Sequence, residues 1–252
     1  DLKVKDATKF QVRVLSPDSL EETSWFSFCL KRKTQTIRYD KLIIHLHGGG
    51  WVGMTTAMHQ IYLRHWAKIL QVPVFSVDYR LAPMHGYPDA LDDCWQFYNW
   101  LLDNCEIFGV DPKNVIVAGD SAGGNMALSI SILAHKSKRR VPDGLMLAYP
   151  ALNLKRNVFS PSYLKAIDDE VVPFTLLELC RDVYVKQYEH SEIDPLISPI
   201  LHSDEMLKLL PPIKMIVGDL DPLHDDCWRF LYRLLKLGKS AELTVFKDLM
   251  HG

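Results

Sequence analysis

The stretch from 115 to 135 limits the fold more than any other part of the chain. Val115-Ile116-Val117-Ala118 is short and apolar, as a strand buried on both faces of a parallel sheet is. Gly119-Asp120-Ser121-Ala122-Gly123 follows, and Asn125 to His135 is compatible with a packed helix. A strand that turns sharply into a helix brings backbone against backbone, and glycines at 119 and 123 leave room for that approach. Ser121 then stands exposed at the turn. Strand-like runs at 42 to 46, 73 to 77, 114 to 118, 144 to 148, 213 to 217 and 242 to 246 alternate with helical stretches. This alternation predicts an α/β fold, a mostly parallel central sheet with helices on both faces. Val12 to Leu15 reads as an edge strand.

Upstream, His47-Gly48-Gly49-Gly50 follows the apolar run Leu42-Ile43-Ile44. A glycine run after a strand leaves backbone N–H groups free to point into a cleft. An exposed serine beside such donors suits attack on an acyl carbonyl, whose oxygen then gains nearly a full negative charge. Losing one donor to that oxygen typically costs about 100- to 1000-fold in rate. The N–H groups of Gly49, Gly50 and Ala122 are the candidate oxyanion donors, with His47 and Gly48 shaping the turn. Asp120 reads either as a site-lining carboxylate or as a hydrogen-bonding turn residue. Separately, the two motifs have plain readings as a surface turn and a flexible loop. Their combination carries the chemistry.

On these residues the chain resembles the hormone-sensitive lipase family of α/β-hydrolases, over nearly its whole length. Asp78-Tyr79-Arg80-Leu81-Ala82-Pro83 resembles the family's segment after the next strand, and Tyr87-Pro88-Asp89-Ala90-Leu91-Asp92-Asp93 the start of its following helix. Asp221-Pro222-Leu223-His224-Asp225-Asp226 resembles its acid-bearing loop, while Met84 departs from the glutamate often found after that proline. Val141-Pro142-Asp143-Gly144, Tyr149-Pro150-Ala151 and Leu209-Leu210-Pro211-Pro212 most resemble the eukaryotic members. The resemblance implies a serine esterase or lipase that needs no cofactor and acts on acylglycerols, sterol esters or simple carboxylic esters. A long regulatory insertion precedes the acid loop in mammalian members. The corresponding stretch here is short, so regulation by phosphorylation is not carried over.

A serine hydroxyl needs a histidine within hydrogen-bond reach and a carboxylate to fix that histidine's tautomer. In α/β-hydrolases these follow in the order Ser, acid, His. Of ten histidines, His190, His202, His224 and His251 lie after Ser121 with an aspartate between. His251 follows the strand-like Glu242 to Phe246 and resembles the family's C-terminal His-Gly turn. His190 reads as surface, and His202 falls in a loop. For the acid, Asp221 lies where a strand-end loop presents it. Asp219 is its near rival, and Asp225 and Asp226 fall on the first turn of the next helix, where they complement its dipole.

At 252 residues and 48% apolar content, the chain can make one α/β domain spanning 1–252. The stretch 154–201 interrupts the strand–helix alternation and reads either as a cap insertion over the nucleophile or as a connecting helix packed on the core. Within it Phe174, Leu177, Val183 and Tyr184 form a candidate helical face after Pro173. Residues 1–40 read as an N-terminal edge or cap segment, with Trp25, Phe26 and Phe28 as either an apolar lid patch or plain core. A net charge of −2 offers no surface for nucleic acid, and Lys31-Arg32 and Arg139-Arg140 read as solvated ends or loops. No metal-ligand spacing appears. Five cysteines, Cys29, Cys94, Cys105, Cys180 and Cys227, form no Cys-x-x-Cys pair. Cys94 and Cys180 read as core residues, and the set suggests a reducing, cytoplasmic setting. No run of 18 uncharged apolar residues predicts a bilayer span, which leaves transient contact with a lipid surface. Nothing in the sequence sets an oligomeric state, and the start at Asp1 fits a fragment. Two rivals stay open: a ligand-binding module on the same fold, as in plant gibberellin receptors that lack the working histidine, and amide or peptide cleavage.

Overall fold

The computed structural model describes residues 10–17, 38–156, 160–167 and 169–252. Trp25, Phe26, Phe28, Cys29 and Lys31-Arg32 lie outside them. The strands are β1 (Gln11–Leu15), β2 (Tyr39–Leu46), β3 (Val74–Asp78), β4 (Val110–Asp120), β5 (Gly144–Ala148), β6 (Ile213–Gly218) and β7 (Ala241–Phe246). The helices are α1 (Thr56–Leu70), α2 (Asp89–Asn104), α3 (Ala122–Lys136), α4 (Pro161–Lys165), α5 (Phe174–Val185), α6 (Asp204–Leu207) and α7 (His224–Lys236). All seven expected strands form. They make one sheet in the order β1-β3-β2-β4-β5-β6-β7. Only β1 runs antiparallel, with Gln11 opposite Asp78.

Helices cover the sheet, and the central strands are apolar as a result. Leu42, Ile44, Leu46, Val115 and Val117 are inaccessible to solvent, and each such side chain contributes about 1.5–3 kcal/mol by leaving water. Parallel pairing places Leu46 beside Gly119, so the ends of β2 and β4 emerge together. That register brings the glycine run after β2 next to the serine turn after β4. Helix α3 is buried continuously from Ala122 to Ala134. Two of its polar residues there are tied down: the Asn125 amide donates to the carbonyls of Ala151 and Ile197, both at 2.7 Å, and Ser129 Oγ donates to the Leu196 carbonyl at 2.8 Å.

Between β5 and β6 the chain leaves the sheet and forms α4, α5 and a short 3₁₀ turn at Pro199–Leu201. The helix expected after Pro173 forms, but its buried face differs from the expected one. Phe174, Leu177, Tyr184 and Val185 pack on the core, with Arg181 buried on the same face. Val183 does not join them. It stands nine residues after Phe174, two and a half turns at 3.6 residues per turn, and so points to the opposite side. Cys94 is a core residue, whereas Cys180 is only half-buried. Helix α7 opens with Asp225 and Asp226 in its first turn, as expected.

Candidate active site

Ser121 sits between β4 and α3 at φ 52° and ψ −115°, a strained conformation for a residue with a side chain, of order 1–3 kcal/mol. Its surroundings hold it there. The Ser121 N–H donates to the Ala148 carbonyl at 2.9 Å, and its carbonyl accepts from Asn125 and Ala151 N–H, both at 3.1 Å. The flanking glycines are required by space. A Cβ at Gly123 would lie 1.9 Å from the Leu46 carbonyl oxygen, and one at Gly119 would lie 2.5 Å from the Gly123 backbone.

His251 arrives after β7 with its side chain 7% exposed. Its Nε2 lies 3.0 Å from Ser121 Oγ and its Nδ1 lies 2.9 Å from Asp221 Oδ2. A carboxylate only accepts, so Nδ1 carries the hydrogen and Nε2 offers its lone pair to the serine hydroxyl. Asp221 is wholly buried, and its second oxygen accepts from Leu223 N–H at 2.7 Å. The loop is braced from α4: Ser162 Oγ donates to the Pro222 carbonyl at 2.7 Å, and Ser162 N–H to Asp225 at 3.0 Å. Asp219 makes no bond to His251, and its Oδ1 is buried without a partner among the described residues. His190 is exposed, His224 pairs with Asp225 at 3.0 Å, and His202 is buried away from the serine, its pKa pushed down to about 4 by burial.

The loop after β2 is wound through positive φ at Gly49 (107°), Gly50 (59°) and Trp51 (62°). The carbonyls of His47, Gly48 and Gly49 are occupied. The Tyr79 hydroxyl donates to the His47 carbonyl at 2.7 Å, His47 Nδ1 donates to the Gly48 carbonyl at 2.7 Å, and Val52 and Gly53 N–H both donate to the Gly49 carbonyl at 3.0 Å. The His47 ring stacks on Tyr79 at 4.2 Å, and burial lowers its pKa to about 4. It is therefore neutral, as a donor to a carbonyl needs only one proton. Gly48 N–H is also taken, by Asp120 Oδ2 at 3.0 Å. Among the described residues, Gly49, Gly50 and Ala122 N–H enter no backbone hydrogen bond of the loop or turn. Asp120 thus both faces the cavity and bonds the glycine loop.

Ser121, His251, Gly49 and Gly50 line a cavity of about 420 Å³. The β5–β6 segment supplies much of its wall, including Leu154, Tyr163, Phe174 and Leu177. Cys180 presses against Gly50, where an added Cβ would meet its sulfur at 2.8 Å. Trp51 stacks on Tyr184 of α5 at 4.4 Å, joining the glycine loop to that segment. Sequence reasoning missed Tyr149, whose ring lies 4.6 Å from His251, and missed His45, His59 and Tyr62 around Asp120. The available signals were weak: a histidine inside an apolar strand, and His59-x-x-Tyr62 at one-turn helical spacing.

Comparison with known proteins agrees with this fold. The α/β-hydrolase fold family matches residues 43–252. Hormone-sensitive lipase of Mus musculus is 37% identical over 218 residues, 86% of this chain and 26% of that protein. The chain thus spans about a quarter of the length of that relative. Carboxylesterase NlhH of Mycobacterium tuberculosis is 31% identical over 84% of this chain and 66% of its own length. Among solved structures, the thermophilic carboxylesterase EstE1 from a metagenomic library superposes with a TM-score of 0.83 at 29% identity, covering 96% of this chain and 76% of that one. By fold, matched residues and relatives, the chain belongs to the α/β-hydrolase family, alongside the hormone-sensitive lipases and microbial carboxylesterases.

Proposed function

We propose that the chain is the catalytic part of a serine carboxylic-ester hydrolase. The carrying observation is the hydrogen-bonded line Ser121, His251, Asp221 at the wall of a largely apolar cavity that also exposes Gly49 and Gly50. Ser121 Oγ attacks the ester carbonyl while His251 Nε2 takes its proton. Asp221 keeps His251 in the tautomer that can accept that proton and stabilises the imidazolium that forms. Gly49, Gly50 and Ala122 N–H groups hold the oxyanion. The tetrahedral intermediate collapses, His251 passes the proton to the leaving alcohol, and an acyl-serine remains. Water, deprotonated by His251, repeats the attack and frees the acid.

The apolar wall favours carboxylic esters with a hydrocarbon acyl group. We assign 154–201 as a cap over the nucleophile, a role supported by the cavity-facing Leu154, Phe174 and Leu177. No described helix is long and apolar enough to cross a membrane. Contact with a lipid surface is supported by the exposed Leu164, Ile167 and Leu179 of the same segment. The four described cysteines are free, which supports a reducing, cytoplasmic setting. The binding-module alternative requires a serine without a working histidine, and His251 at 3.0 Å argues against it.

Steady-state hydrolysis of p-nitrophenyl esters from acetate to palmitate, by the wild type and Ser121→Ala, tests the proposal. Turnover that disappears in Ser121→Ala supports it, and the preferred acyl length separates esterase from lipase. A folded wild type that turns over no ester overturns it.

A further inference from the structure

A second histidine–carboxylate pair adjoins the nucleophile and takes no part in the steps above. Three elements meet at Asp120, the last residue of β4. Its Oδ2 accepts from Gly48 N–H at 3.0 Å and from His59 Nε2 at 3.1 Å, and its Oδ1 accepts from the Tyr62 hydroxyl at 3.4 Å. The side chains of Asp120 and His59 are 13% and 7% exposed. Gly48 fits so closely that a Cβ there would lie 2.3 Å from the same carboxylate oxygen.

The proton count on His59 follows from its partners. Its Nδ1 lies 3.0 Å from the Thr55 carbonyl oxygen, which can only accept. Its Nε2 faces the Asp120 carboxylate, which also only accepts while ionised. Burial works to protonate Asp120, but hydrogen bonds from His45 and His59 outweigh it and hold the carboxyl far below its usual range. Both ring nitrogens of His59 therefore need hydrogens, and only the imidazolium has two.

The other groups facing His59 permit that charge. His45 and His47 have ring centres 5.5 Å away, and burial lowers both, so they stay neutral. Tyr62 is 5.9 Å away between ring centres and burial keeps its hydroxyl protonated. Asp78, which accepts from Thr56 N–H at 2.7 Å and Thr56 Oγ1 at 2.6 Å, adds a second carboxylate. For His59 itself burial opposes the charge, while Asp120, the Thr55 carbonyl and Asp78 overcome it and raise the pKa above 6.5.

We infer that His59 is a positioning residue for ester cleavage: as an imidazolium it fixes and neutralises Asp120, and Asp120 fixes Gly48 N–H and with it the oxyanion donors Gly49 and Gly50. The inference rests on the ester-hydrolase reading. Loss of the His59 proton has two consequences. One ring nitrogen becomes a lone pair facing an acceptor, which loosens the brace. The pair also becomes net negative beside the place where the ester oxygen gains negative charge, which opposes the transition state. Activity therefore needs His251 neutral and His59 charged, a bell-shaped profile whose alkaline limb belongs to His59. The sign is that of a raised histidine: the imidazolium persists above 6.5 and is lost as pH rises through the higher folded value.

The test measures kcat and KM for p-nitrophenyl butyrate from pH 5 to 10 in the wild type and His59→Gln, alongside ¹⁵N imidazole spectra of the wild-type chain. His59→Gln should lose about 10- to 100-fold in kcat at neutral pH, up to the cost of a misplacement of about 1 Å, with KM nearly unchanged and the alkaline limb gone. The spectrum should show both His59 nitrogens protonated at pH 7. A folded His59→Gln with wild-type kcat and an unchanged alkaline limb overturns the inference while leaving the ester reading standing. A neutral His59 at pH 7 overturns it without recourse to any variant. A wild type that hydrolyses no ester removes the ester reading and this role together.

Discussion

Replacing Asp221 by asparagine separates the carboxylate's electronic role from its shape. The side chain is wholly buried and both oxygens are engaged, Oδ1 by Leu223 N–H at 2.7 Å and Oδ2 by His251 Nδ1 at 2.9 Å. An asparagine has one acceptor and one donor to place there. Leu223 N–H can only donate, so the amide oxygen must stay against it, since the reverse orientation sets two donors face to face at a cost of about 1–3 kcal/mol. The amide NH₂ is then aimed at His251 Nδ1, which becomes an acceptor. The ring hydrogen moves to Nε2, facing Ser121 Oγ, and the base has no lone pair for the serine proton. Elsewhere this tautomer error costs about 10⁴ in kcat, equal to roughly 5 kcal/mol of barrier.

The assay is kcat and KM for p-nitrophenyl butyrate, with circular dichroism to confirm the fold. Asp221→Asn should lose about four orders of magnitude in kcat with KM changed only a few-fold. Asp219→Asn is the control and should stay near wild type, since Asp219 makes no bond to His251. Asp221→Asn retaining more than a tenth of wild-type kcat would refute the tautomer argument. Equal losses in both variants would point to damage of the loop as a whole.

Two further outcomes follow from other parts of the structure. Leu177→Trp, which adds bulk to the cavity wall, should leave acetate hydrolysis near wild type and cut octanoate hydrolysis at least about tenfold, as a filled pocket rejects longer chains by about 1–3 kcal/mol; an unaltered chain-length profile would place the acyl group elsewhere. Burial raises the Asp226 carboxyl from 3.8 to about 6 despite Arg229 nearby, a shift worth roughly 3 kcal/mol. Because the folded value is the higher one, this stability is complete below 3.8 and lost as pH rises through about 6. Asp226→Asn should therefore raise the urea midpoint at pH 7.5 and change it little at pH 4, and equal effects at both pH values would contradict the assignment.

How far the sequence can be read depends on how many residues share each constraint. The serine turn is legible because a few consecutive residues carry it: glycines at 119 and 123 are the only side chains that the backbone of Gly123 and the Leu46 carbonyl admit. Strand runs are legible too, since a parallel strand covered on both faces must be apolar throughout. Strand order is not written in any one run, and β3 and β4 flank β2 through crossovers set by packing. The phase of α5 failed at Val183 because a short apolar helix offers several stripes, and the choice among them depends on what Val185 and Arg181 meet in the folded chain.

The Asp120 cluster shows the limit most clearly. Its histidine lies 61 residues away in sequence and its tyrosine 58, and neither spacing carries meaning until β2 and β4 pair. Once Leu46 stands beside Gly119, the glycine loop and the serine turn share one end of the sheet, and helix α1, which follows that loop, delivers His59 and Tyr62 to the same place. Two histidine–carboxylate pairs then adjoin one serine with opposite proton requirements. His251 faces one acceptor and one hydroxyl, so it works neutral; His59 faces two acceptors, so it works charged. The chain's ten histidines look alike in sequence, and what separates a base from a brace is the count of acceptors each ring meets.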